Sequence, residues 1–245
     1  MRRRIYDKDT AHPDIANSLN NLAAAWGDLG HHRKAVNYHE QALPMMLRIY
    51  GEDTAHPDIT NSLINLGNAW RDLGDLRKAV SYYEQSLQMK RSIYGEDTAH
   101  CVIADSLNTL GAAWGDLGDH RKAINYHEQA LQMMLRIYGE DIAHPDIAAS
   151  LNNLGAAWSD LGDHRTAFSY HKQALQMMLR IYGEDIAHPD IAASLNNLGR
   201  AWRNHEKPRK PVSYYKQSLQ MNRSIYDEDT VHPSIAASLH GLGNA

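Results

Sequence analysis

Apolar residues recur along this chain at helical spacing. Ile147, Leu151, Leu154 and Trp158 fall at i, i+4, i+7 and i+11, one stripe of an amphipathic helix. A second stripe, Ala123, Tyr126, Ala130, Met133 and Ile137, runs at 3-4-3-4 spacing, and Ala35, Tyr38, Ala42, Met45 and Ile49 repeat it. No sustained apolar–polar alternation occurs, so no strand is predicted. Pro145 suits a first helical position, Asp146 the positive helix end, and Gly162 a stop. Asp119 or Asp163 can cap the second helix, and Gly139 or Gly183 follows its end. The chain reads as all-α.

The stripes repeat. "AHPDI" begins at Ala11, Ala55, Ala143 and Ala187, with variants at Ala99 and Val231, always 44 residues apart. Residues 111–154 laid over 155–198 differ at five places. Such a period means stacked supersecondary units, a solenoid. The register gives one array over 1–245, with five full helix pairs at 12–55, 56–99, 100–143, 144–187 and 188–231. Residues 1–11 match the end of a preceding second helix, and 232–245 match a first helix cut before its tryptophan. Neither end carries a polar capping repeat, so the expectation is a fragment of a longer array. Its open ends, Ile5–Tyr6 and Ile235, Leu239 and Leu242, would favour head-to-tail self-association.

At 43% hydrophobic residues the composition is globular, not disordered. A formal charge of −4 without a long basic run argues against nucleic acid. No run of about 18 apolar residues exists, so no membrane span is expected. "MRRRIYDKDT" lacks the apolar stretch of a signal peptide. The lone Cys101 excludes an internal disulfide and fits a reducing compartment. A cytoplasmic protein is the expectation.

With Leu151, Leu154–Gly155, Trp158, Gly162, Ala167 and Ala174 in place, each unit resembles a tetratricopeptide repeat. His171 stands where that family usually has an aromatic, and Tyr83 and Tyr215 fill the place in two other units. The 44-residue period exceeds the usual 34. Together with the "HPD…LNNL" opening, it is similar to the long repeats of kinesin light chains and nephrocystin-3-like proteins. The resemblance implies a right-handed superhelical solenoid of antiparallel helix pairs, with the first helices lining a concave groove.

Within "SLNNLGAAW", at 150–158, two asparagines interrupt a helix that they favour poorly. The resemblance places these positions toward the groove. They comprise Asn17, Asn20 and Asn21, then Asn61, Asn65 and Asn68, then Asn108 beside Asp105 and Thr109. Asn152 and Asn153 follow, and then Asn196, Asn197 and Arg200. A side-chain amide both donates and accepts, so such a ladder can hold the backbone of an extended peptide or protein segment. The same amides can instead bond between adjacent first helices and only brace the array. A self-associating array, or a spacer within a larger protein, is the corresponding alternative function.

Other candidates are weaker. The paired histidines His120 and His127 stand two helical turns apart, about 10 Å, too far to share a metal ion. The "HPD" histidines more simply organise each linker or first turn. "GDLG" at 27–30 has no preceding strand and no lysine, unlike a phosphate loop. Cys101 has no recurring base beside it. No acid–base pair or triad is evident, so neither an enzyme nor a cofactor is expected. Asp28, Asp72, Asp116 and Asp160 end the first helices, where they either cap the next helix or form an acidic groove edge suited to a basic partner. In the methionine pairs Met133–Met134 and Met177–Met178, the first of each falls on the core stripe; the second alternates with Lys90 and Asn222 and reads as partly exposed. Each tryptophan is expected to be buried. In the fifth pair, Pro211 replaces the alanine of other units, so its second helix should start about a turn late.

Overall fold

The computed structural model describes residues 11–203, 209–226 and 232–244. It divides into two compact units, Met1–Gly118 and Asp119–Ala245. The first holds α1 (Pro13–Asp28), α2 (His32–Tyr50), α3 (Pro57–Asp72), α4 (Leu76–Tyr94) and α5 (Cys101–Asp116). The second holds α6 (His120–Tyr138), α7 (Pro145–Asp160), α8 (His164–Tyr182), α9 (Pro189–Arg203), α10 (Arg209–Ile225) and α11 (Pro233–Gly243). Within each unit every helix packs on the next in sequence, and no strand occurs among the described residues. The odd-numbered helices α1–α5 and α7–α11 are the first helices of their pairs.

Each first helix starts on a histidine. The imidazole Nδ1 of His12, His56, His100, His144 and His232 accepts the backbone N–H two residues on, at 3.2 Å. Serine, threonine or aspartate usually fills this role, satisfying one of the orphan amides of the first turn. Histidine adds an aromatic face. His144 stacks on Tyr138, at the end of the preceding helix, with ring centroids 3.5 Å apart, and four other pairs, from Tyr50–His56 to Tyr226–His232, do the same. The tyrosine hydroxyl then donates to the first-turn aspartate, as from Tyr138 to Asp146 at 2.9 Å. The "HPD" histidines thus organise both the linker and the first turn.

The turn inside a helix pair is equally local. Gly162 adopts φ 92°, which a side chain would strain, and this lets the Asp163 N–H reach back to the Trp158 carbonyl at 3.0 Å. Asp163 then caps α8 by accepting from the Thr166 N–H. Asp75 and Asp119 cap α4 and α6 the same way. The caps therefore lie outside the first helices, and Asp28, Asp72, Asp116 and Asp160 are exposed instead. In the fifth pair α10 is described from Arg209, so it is already helical less than a turn after the position where its equivalents begin; the residues that would mark its start, 204–208, lie outside the described residues.

The core follows the first-helix stripe: Ile147, Leu151 and Leu154 are buried, as are their equivalents Ile59, Leu63 and Leu66. On the second helices the reading is corrected by one position. Met46, Met134 and Met178 are the buried methionines, and Lys90 and Asn222, at the same register, are buried too. Met133 and Met177 are only half-buried. The tryptophans are also half-buried rather than enclosed. Lys34 and Lys78 cover the rings of Trp26 and Trp70 from 3.8 and 3.6 Å.

Candidate partner-binding face

In two of the three asparagine pairs the side chains point different ways. Asn152 is half-buried and Asn153 exposed, as are Asn20 and Asn21. The 100° step between neighbouring helical positions separates them. Asn152 donates from Nδ2 to Ser194 Oγ on the next first helix at 3.2 Å. Its Oδ1 is 3.0 Å from His171 Nδ1 on its own second helix. Asn20 repeats both contacts, with Ser62 at 3.3 Å and His39 at 2.9 Å. Asn196 reaches Ser238 at 3.1 Å. The first amide of the pair is therefore a brace.

The brace requires an imidazole that donates from Nδ1, and burial keeps that imidazole neutral. Burial holds His39 and His171 at pKa values of about 4, with the Arg200 charge adding to the effect at His171. Burial likewise brings His127 to about 4. A Cβ on Gly155 would sit 2.6 Å from the His171 ring as it is placed there, and one on Gly67 2.6 Å from Tyr83, whereas the first repeat carries Ala23 at this position and keeps the His39–Asn20 contact.

The remaining candidates differ in exposure. Asn17, Asn21, Asn61, Asn68, Asn153 and Arg200 are exposed, and Asn65, Asn108 and Asn197 half-buried. Asn68 accepts a bond from the Tyr83 hydroxyl at 2.7 Å, which fixes its orientation. Alongside them run the exposed carboxylates of Asp28, Asp72, Asp116 and Asp160. Arg71 of α3 pairs with Asp116 of α5 at 2.8 Å. In the first unit the face thus offers amide and carboxylate oxygens in rows along α1, α3 and α5.

Sequence reasoning missed the polar second-helix positions. Lys90 is buried, with Nζ 2.8 Å from Ser106 Oγ, and burial lowers its pKa against the pull of Asp105. Asn222 is buried beneath α11. Their alternation with methionine was the available signal. Cys101 is exposed at the start of α5, 4.0 Å from its neighbour His100. Among the described residues no three His, Cys, Asp or Glu side chains converge as a metal site, and no helix is long and apolar enough to cross a membrane. Of the self-association candidates, Ile5–Tyr6 lie outside the described residues, Ile235 is buried, and Leu239 is 47% exposed.

Family models described as tetratricopeptide repeat match residues 15–58, 58–136, 102–180 and 146–224. The chain belongs to the tetratricopeptide repeat family. This repeat protein is similar in fold to a solved structure described as a Podosopora anserina kinesin light chain with nearly identical TPR-like repeats. The TM-score is 0.73 at 21% identity, covering 89% of this chain and all of that one. It also resembles BtubC (BKLC) from P. vanneervenii, with TM-score 0.69 and 22% identity over 88% of this chain and 84% of that one. MamA of Desulfovibrio magneticus RS-1 matches at TM-score 0.57 and 16% identity, over 89% and 98%. No curated protein matches. These identities carry the fold alone.

Proposed function

We propose that this repeat protein is a non-enzymatic cytoplasmic scaffold that holds an extended peptide or protein segment along its first-helix face. The observation that supports this reading is the division of labour within the asparagine pairs. One amide is consumed in bracing, while in the first unit Asn17 and Asn21 of α1 and Asn61 of α3 remain exposed, Asn17 and Asn61 one repeat apart, and in the second unit Asn153 of α7 is exposed. Such a row meets the alternating donors and acceptors of a peptide backbone without reading its sequence. The carboxylates of Asp28 and Asp72 along the same face favour a segment carrying basic residues.

Pull-down of a peptide library on the full chain tests this. Replacing Asn21, Asn61 and Asn65 together by alanine should weaken retained peptides at least about tenfold, given roughly 0.5–1.5 kcal/mol per hydrogen bond. The melting temperature should stay near that of the parent. A chain that retains no peptide is instead a spacer or a self-associating array.

A further inference from the structure

The second helices leave a repeated cleft that the first-helix face does not use. In the first unit it lies between α2 and α4, over the start of α3, and encloses about 390 Å³. Leu43, Leu47, Leu63 and Met89 give it apolar walls, and Glu52 and Asp53 of the α2–α3 linker line it as well. In the second unit α8 and α10 form the same cleft, of about 320 Å³. Leu175, Leu179, Leu195 and Met221 are its apolar walls, with Glu184 and Asp185 from the linker. All four acidic residues are exposed, and among the described residues no lysine or arginine lines either cleft. Each cleft thus sets an apolar surface beside two accessible acids.

Another repeat shows which group suits this place. Arg180, on α8, donates from Nη2 to the Asp141 carbonyl in the α6–α7 linker at 3.0 Å. The groove beside that bond, lined by Leu151, Gln173, Met177 and Arg180, keeps its apolar surface, but its guanidinium comes from the chain itself. Arg48 and Arg136 hold the same register in their repeats. In α4 and α10 that register falls on Ser92 and Ser224, which follow Asp53 and Asp185 by the same 39 residues that separate Arg180 from Asp141. Both serines turn back onto their own helices. Ser92 Oγ donates to the Gln88 carbonyl at 3.2 Å, and Ser224 Oγ to the Gln220 carbonyl at 3.0 Å. The two serine repeats are therefore open where an arginine repeat places a guanidinium.

The chemistry of the occupant follows. A carboxylate would meet the acids of the linker, and a purely apolar group would leave them unused. Arginine satisfies both surfaces: its methylene stem lies along leucine and methionine while its fork of N–H donors meets a carbonyl and a carboxylate together. The ammonium of lysine is a compact, strongly hydrated charge that matches this pair of acceptors less well. We infer that the α2–α4 and α8–α10 clefts each dock an arginine side chain of a partner polypeptide, in the place that Arg180 fills from within the chain. This surface belongs to the second helices and is independent of the peptide reading of the first-helix face.

Methyl resonances of Met89 and Met221 in the full chain report on the two clefts separately. The probe is acetyl-Leu-Arg-Leu-amide, compared with the same tripeptide carrying citrulline, lysine or glutamate at its centre. The arginine probe should shift both resonances saturably, and bind at least about tenfold more tightly than the neutral citrulline isostere, the lysine probe or the glutamate probe. Ser92→Arg installs the residue that Arg48, Arg136 and Arg180 place at this register, so the fold should accept it. It should abolish the response of Met89 and spare that of Met221, and Ser224→Arg should do the converse. The variant with Asn21, Asn61 and Asn65 replaced by alanine should bind the probe like the parent, which separates this surface from the first-helix face. No shift with the arginine probe, a citrulline or lysine probe that binds as tightly, or an undiminished response in both arginine variants overturns the proposal.

Discussion

His171 donates from Nδ1 to Asn152 Oδ1 across 3.0 Å, tying the second helix of its repeat to the first. Asn152 hands the connection on to Ser194 in the next repeat. One amide therefore joins three helices, while its neighbour Asn153 faces solvent. Asn152→Ala should destabilise the chain by about 1–3 kcal/mol, because it orphans a buried imidazole N–H. Asn153→Ala should stay within about 0.5 kcal/mol. Urea unfolding of the two variants checks this, and equal losses would refute the division.

Acid should loosen the array before carboxylates titrate. His39, His127 and His171 hold folded pKa values of about 4, below the ordinary 6.5, because burial disfavours their charged forms. As pH falls through 6.5 the unfolded chain takes up protons first. Stability is therefore full above about 6.5 and is lost progressively toward about 4, by up to roughly 1.4 kcal/mol per pH unit for each histidine. Melting temperatures across this range measure the loss. His171→Tyr, copying the residue at Tyr83, should reduce the slope by about a third. An unchanged slope would place the effect elsewhere.

The histidine caps do two jobs that substitution can separate. His144→Asp keeps an acceptor for the Asp146 N–H but removes the ring stacked on Tyr138. His144→Ala removes both and should cost about 0.5–2 kcal/mol for the cap, with the lost stacking added. Thermal unfolding should rank the parent above the aspartate variant and that above alanine.

Lys90→Met replaces a buried ammonium by the residue that Met46, Met134 and Met178 place in the same pocket. Buried charges are often exchanged for apolar groups without loss, so the variant should be as stable as the parent or more stable, by up to about 2 kcal/mol. A drop in melting temperature would mean that the Lys90–Ser106 bond holds α4 and α5 together in a way methionine cannot replace.

The helices, their pairing and most of their ends were legible because a 44-residue period leaves little else to fit, and because Pro145, Gly162 and Asp163 act on their immediate neighbours. The choice between Met133 and Met134 was not. A second helix packs against its own first helix and against the next one, so its apolar arc is wide and two adjacent positions both read as core. The split between Asn152 and Asn153 was hidden for a related reason. The Ser194 partner lies 42 residues away, and only the packing of first helix on first helix brings it within reach.

Every described junction between pairs is closed by the same tyrosine stacked on the same histidine, and the braces from Asn20, Asn152 and Asn196 end on a serine present in every first helix. Removing one whole repeat, or copying one, rebuilds the tyrosine–histidine junctions from equivalent parts, whereas any other change of length misaligns them. Copy number is thus a nearly free variable for such a gene. Unequal recombination can lengthen or shorten the array in whole steps, and new specificity can arise in a single copy while its neighbours keep the structure.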